Sequence, residues 1–395
     1  MSTPRSLCRL LISPLFLISA LASFAASADE LPRGRVLERV ACAGDARQSY
    51  ALYLPASYSP DRSWPILYCL DPGARGRVPV ERFAKAAEGA GWIIVGSNNS
   101  RNGPVDIARE AIEWMLRDTH ARLAIDDTRI YTAGLSGGAR LALAWAGNGG
   151  IAGVIASSAG FAGRIPERIA FRVYGTAGVD DFNFDEVYAM SSELSRRGVP
   201  QRFASFSGGH EWIPESLTED ALAFLSGKLP PEAPPPPTAE QKKAAQRFSH
   251  WLAELQSSDE PQQRSIVAVL QRDAVGPSDT VDRRVARRVL LGTYVADAEH
   301  GRELLAAAKY AEAAQSWEQA VLVRPDNAEA WYQLAVSRAA THEKRRALDA
   351  LDRAIAQGFD DPNRIDHEKL FDALRNDPRF LAAVSGLRTS PPPKP

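Results

Sequence analysis

Cysteine, histidine and methionine are scarce in this chain of 395 residues, which holds 3 Cys, 6 His and 3 Met. Three cysteines cannot build a disulfide framework or a cysteine-rich zinc site, so the fold must rest on its own core. No excess charge of either sign is present either, since the net charge is −1 with 24% charged residues. That balance gives no electrostatic footprint for nucleic acid or an anionic membrane. Apolar runs of spanning length are absent after the N-terminus. The composition, 45% hydrophobic, is that of a globular chain long enough for two domains.

The N-terminus reads as a secretory signal. Arg5 and Arg9 precede an apolar run from Leu10 to Phe24, and Ala26-Ser27-Ala28 follows as an A-x-A site. Export with cleavage after Ala28 is expected, to the periplasm or the extracellular space. Cys8 leaves with the signal. Cys42 and Cys69 then remain, either as a disulfide permitted by an oxidising compartment or as buried thiols, Cys69 lying in an apolar strand pattern.

From 36 to 229 the pattern alternates between strands and helices. Strands are expected at 36–40, 49–54, 65–70, 92–96, 129–133, 153–157, 172–175 and 202–206. Helices are expected at 80–91, 106–122, 138–146, 184–197 and 219–229. The first two strands read as a hairpin, and the rest as a mostly parallel sheet covered on both faces. A polyproline-type linker at 230–240 then marks a domain boundary, and 241–390 is helical in pattern. Within it Ala313, Trp317 and Ala320 recur 34 residues on as Ala347, Leu351 and Ala354. With Lys309-Tyr310-Ala311-Glu312-Ala313 and Arg324-Pro325-Asp326-Asn327, this segment resembles tetratricopeptide repeats over about 295–360. Asp297 and His300 depart from that pattern, standing where large apolar residues belong, and Phe359 replaces a proline. Helices in 241–294 and 361–384 are expected to complete the stack, which needs about three repeats. The resemblance implies a protein-interaction module. The tail 391–395 reads as disordered.

Gly134-Leu135-Ser136-Gly137-Gly138 carries the chemistry. It is a G-x-S-x-G sequence between a strand pattern and a helix pattern, the setting of a nucleophile elbow. A serine nucleophile needs a base and a group to orient that base, in the order Ser, acid, His for this arrangement. Histidines in this half are two, His120 on a charged helix end before the serine and His210 in a glycine-rich loop after the last strand. His210 is the expected base. Aspartates between Ser136 and His210 are Asp180, Asp181 and Asp185. Asp181 is favoured because it directly precedes Phe182-Asn183 at the start of a helix, with Asp180 the alternative. The oxyanion hole should take the Gly137 N–H and a second N–H from the loop after the third strand, at Gly73 or Ala74. Arg75 reads as an anion ligand or a solvated loop residue. Trp212 reads as an aromatic wall for substrate or as packing beneath the loop.

These motifs, with Leu70-Asp71-Pro72-Gly73 and Gly209-His210-Glu211-Trp212, make 36–229 resemble α/β-hydrolases. The likeness is to small esterases of the polyhydroxybutyrate-depolymerase and dienelactone-hydrolase kind. The resemblance implies an α/β-hydrolase sheet and a carboxylic-ester hydrolase working through an acyl-serine, without metal or cofactor. Asp71-Pro72-Gly73 departs from the His-Gly-Gly sequence of many lipases. The short stretch 158–170 leaves no room for a cap domain after the sixth strand, so an open site suited to a small or oligomeric ester is expected. A hydrolase-fold scaffold without activity, and a peptidase or thioesterase on the same triad, are the other readings.

Overall fold

The computed structural model describes residues 31–276 and 280–389. The expected signal segment, with its expected cleavage site at Ala28, and the tail 391–395 lie outside the described residues. Eight strands form one sheet: β1 (Val36–Cys42), β2 (Asp45–Tyr53), β3 (Trp64–Leu70), β4 (Ile93–Ser97), β5 (Ile125–Leu135), β6 (Gly153–Ser157), β7 (Arg172–Gly178) and β8 (Gln201–Phe206). Their order is β1-β2-β4-β3-β5-β6-β7-β8. The hairpin β1–β2 is antiparallel and joins β4 antiparallel, whereas β4, β3 and β5 to β8 run parallel. This is the α/β-hydrolase sheet.

Two-residue alternation explains why both faces are dry. On β3, Ile66, Tyr68 and Leu70 enter one core with Leu143 and Val187, while Leu67 and Cys69 enter the other with Phe83 and Phe224. Helices α1 (Arg77–Ala90) and α5 (Glu215–Leu225) cover the second face. Helices α2 (Val105–Arg122), α3 (Gly137–Gly147) and α4 (Phe184–Arg196) cover the first. Helix α5 starts four residues before its expected position, directly after Pro214, and Gly227 at φ 77° closes its C-terminal side. Cys42 and Cys69 are buried free thiols, not a disulfide.

The proline-rich segment is pinned to the sheet edge. Gln201 and Glu232 exchange hydrogen bonds, and Tyr188 Oη donates to the Pro235 carbonyl. Helices α6 (Ala239–Ser257), α7 (Glu260–Ala274), α8 (Val281–Ala306), α9 (Tyr310–Val323), α10 (Ala328–Ala340), α11 (Lys344–Ala356), α12 (Pro362–His367) and α13 (Pro378–Thr389) follow, with a short 3-10 turn at Lys369–Leu374. Thr238 begins α6 with a capping box to Gln241. The alanines of the repeat pattern are fully buried where neighbouring helices approach, as at Ala313, Ala320, Ala347 and Ala354.

Candidate active site

Three loops at the C-terminal edge of the parallel strands meet here. The first is the turn from β5 into α3. Ser136 sits at its apex at φ 53° and ψ −121°, a conformation that costs a non-glycine residue about 1–3 kcal/mol. The surrounding glycines make that turn possible. A Cβ on Gly134 would collide with the Gly138 carbonyl, and one on Gly138 with the Leu70 carbonyl. The Ser136 N–H donates to the Ser157 carbonyl at 2.9 Å, which ties the apex to β6.

The second and third loops leave β7 and β8. Asp181 is completely buried, and its Oδ1 accepts from His210 Nδ1 at 2.9 Å and from the Asn183 N–H at 2.8 Å. Fixing Nδ1 as the protonated nitrogen leaves His210 Nε2 as the free base. The Phe182 ring stacks on the imidazole with centroids 4.3 Å apart. The Asp180 N–H donates to the Gly208 carbonyl, so the two loops brace each other. Asp180 itself turns its carboxylate away, to Arg287 at 3.3 Å and Arg284 at 4.0 Å. Asp185 faces Arg288, and burial raises its carboxyl above the ordinary value. His120 is remote in its bonding, engaging Leu116 and Asp127. Geometry therefore brings Asp181 to His210 and leaves Asp180 out. Among the described residues no hydrogen bond closes from Ser136 Oγ to His210.

The loop after β3 departs from expectation. The Gly73 N–H donates to its neighbour Asp71 Oδ1 at 2.8 Å, and the Ala74 N–H donates to the Asp71 carbonyl at 3.1 Å. Both amides expected to serve the oxyanion are thus consumed inside the loop. The Ala74 amide is taken by the Asp71 carbonyl, and the Gly73 amide by the Asp71 carboxylate, buried at 1% exposure. Arg75 pairs with it at 2.9 Å and so is not placed to hold a substrate anion. Trp212 also binds it, with Nε1 at 2.8 Å, and is buried at 3% exposure. Trp212 is therefore packing beneath the loop, not a wall of the site.

Asn102, which sequence reasoning missed, occupies the vacant side. Its backbone N–H donates to the Pro72 carbonyl at 2.9 Å. Its side-chain amide lies against Gly137, where a Cβ would overlap Oδ1 and stand 2.9 Å from Nδ2. The Nδ2 end donates to Glu299 on α8.

Nor is the site open. The loop after β6 is as short as expected, yet α8 crosses the strand edge instead. Arg288, its side chain 3% exposed, donates to the Val179 carbonyl at 2.7 Å and 3.1 Å and to Asp185 at 3.3 Å. Gly292 passes so close to Phe182 that a Cβ would come within 3.1 Å of it. Glu299 reaches Asn102. From Arg287 to Glu299 the helix covers about 18 Å, running from the acid loop, past the ring on His210, to the residue resting on Gly137. The signal in the sequence was the basic set Arg283, Arg284, Arg287 and Arg288, which complements Asp180 and Asp185.

No family model matches the chain, and no curated protein matches it. Among solved structures it is similar to a ferulic acid esterase (18% identity, 49% of this chain and 99% of that one, TM-score 0.40). It is also similar to the S-formylglutathione hydrolase FrmB of Staphylococcus aureus (14% identity, 50% and 97%, TM-score 0.38). An esterase of Pyrobaculum calidifontis gives 14% identity, 51% and 88% coverage and a TM-score of 0.40.

Proposed function

We propose that this chain is a serine hydrolase that cleaves a carboxylic ester through an acyl-serine. One observation carries the reading: a fully buried Asp181 holds His210 Nδ1 at 2.9 Å, at the same strand edge that carries a serine at φ 53° on a nucleophile elbow. In the reaction Ser136 Oγ attacks the carbonyl carbon while His210 Nε2 takes the hydroxyl proton. Asp181 stabilises the imidazolium that forms. His210 then returns the proton to the leaving alcohol as the C–O bond breaks. Water, deprotonated by the same nitrogen, attacks the acyl-serine and releases the acid. The Gly137 N–H supplies one oxyanion donor. With the Gly73 and Ala74 amides already engaged, the Asn102 side-chain amide supplies the second once its Nδ2 turns from Glu299 toward the elbow.

The substrate is a small ester. Helix α8 lies over the strand edge, so an oligomeric chain could enter only if α8 moved. The helical half serves as a tetratricopeptide-like interaction module, and the mature chain acts outside the cytoplasm after cleavage near Ala28. The test is covalent labelling. A fluorophosphonate should label the wild type and not Ser136→Ala. Folded protein that resists labelling would reject a working serine and leave the scaffold reading. A panel of matched ester, thioester and amide substrates then separates esterase from thioesterase and peptidase, and preference for the thioester or amide would overturn the ester assignment.

A further inference from the structure

A cavity of about 670 Å³ lies between the start of α4 and helices α6 to α9. That volume falls within the roughly 300–1,000 Å³ of small-molecule sites, which also favour domain interfaces. Its walls are mainly apolar, with Phe182, Phe248, Leu252, Val267 and Val323 among them.

The ionisable groups on the wall all carry the same sign. Asp185, Glu186 and Asp297 line the cavity, and no lysine or arginine does. Two of the three are already matched. Asp185 faces Arg288 at 3.3 Å, and Glu186 takes a bidentate pair from Arg140 at 2.6 Å and 2.9 Å. The carboxyl of Asp297 has no hydrogen bond or ion pair among the described residues. Burial alone pushes it up to about 7. Asp297 is also a residue that breaks the repeat pattern, at a helical position where an apolar side chain would pack. Asp297 is half-buried, and a carboxylate drawn partly out of water without a partner is costly to the fold. A ligand that donates to it and fills the walls would remove that cost.

We infer that this cavity is a binding site for an organic cation, a primary ammonium on an aliphatic body, with Asp297 taking the ammonium and the apolar walls taking the chain. This site is separate from the triad and does not depend on Ser136 acting as a nucleophile. It nevertheless shares a wall with it, because Phe182 lines the cavity and stacks on His210.

Titration calorimetry on the full chain tests the inference with three probes of one length: n-octylammonium, n-octanol and n-octanoate. Octylammonium should bind, octanol more weakly, and octanoate weakest of all. Asp297→Asn should weaken octylammonium about ten- to a hundredfold, the worth of one charge-assisted hydrogen bond, while leaving octanol unchanged. Leu252→Trp, which fills the cavity from α6 and leaves Asp297 in place, should abolish binding of both. Thermal melting checks that each variant is folded. The site is overturned if the wild type does not bind octylammonium, if octanoate binds as well, or if folded Leu252→Trp still binds. It is equally overturned if folded Asp297→Asn binds octylammonium like the wild type.

Discussion

Asp180 and Asp181 are neighbours with the same side chain, and their fates differ completely. One turn of backbone sends Asp181 inward to His210 and the Asn183 N–H, and Asp180 outward to two arginines of a distant helix. No local rule separates them, since either could cap α4. Asn102 is a similar case. Its sequence neighbourhood, Asn98-Asn99-Ser100-Arg101-Asn102, reads as an ordinary polar loop. Only the fold lays its amide on Gly137. A carboxylate can only accept, so Glu299 takes the Nδ2 end and leaves Oδ1 toward the elbow. An acceptor there opposes a developing oxyanion, so in turnover the amide must turn from Glu299 to donate Nδ2–H, and freeing it should help. Asn102→Ala is expected to lower kcat on an ester by about 10²–10³ with little change in KM, as loss of one oxyanion donor does. Glu299→Ala should raise kcat. Steady-state kinetics decide, and an unchanged kcat in Asn102→Ala would remove that side chain from the oxyanion site.

At the scale of elements, the elbow was legible and the helix above it was not. Strand β5, the glycine-flanked apex and α3 are local, and their pattern is complete within a few residues. Gly138→Ala should therefore be severe, because its new methyl must displace the Leu70 carbonyl of β3; a large fall in melting temperature, with loss of fluorophosphonate labelling, is expected. Helix α8 owes its place to side chains from elsewhere. Arg288 is its main attachment, buried beneath Phe184 at 4.7 Å and bonded to Val179 and Asp185. Arg288→Ala should cost about 2–3 kcal/mol in chemical denaturation, because it removes a buried cation that donates to the half-buried Val179 carbonyl and Asp185 and packs on Phe184. Arg287→Ala, at a side chain 46% exposed, should cost under about 1 kcal/mol. Equal losses in the two would refute the assignment of Arg288 as the anchor.

Over the whole molecule, the two halves are joined by more than a linker. Helix α8 bonds to the loops of the sheet, and the chamber beside it holds an acid whose folded carboxyl is raised from 3.8 to about 7 by burial. A raised acid binds its proton more tightly in the folded chain. Its stabilising contribution is full below about pH 4 and is lost as pH rises through about 7. Asp297→Asn should thus gain on the wild type in urea denaturation as pH climbs from about 4 to about 8, and a constant difference across that range would contradict the raised carboxyl. The sequence by itself determined the alternation of strands and helices, the proline-rich break, the repeat alanines and the serine apex. Each of these is set by backbone preference and short-range periodicity. Tertiary structure alone chose the aspartate, buried Trp212 against Asp71 and drew α8 over the strand edge. Those outcomes depend on which donors and charges meet across 29 to 197 residues of chain, and spacing along the chain carries no record of that.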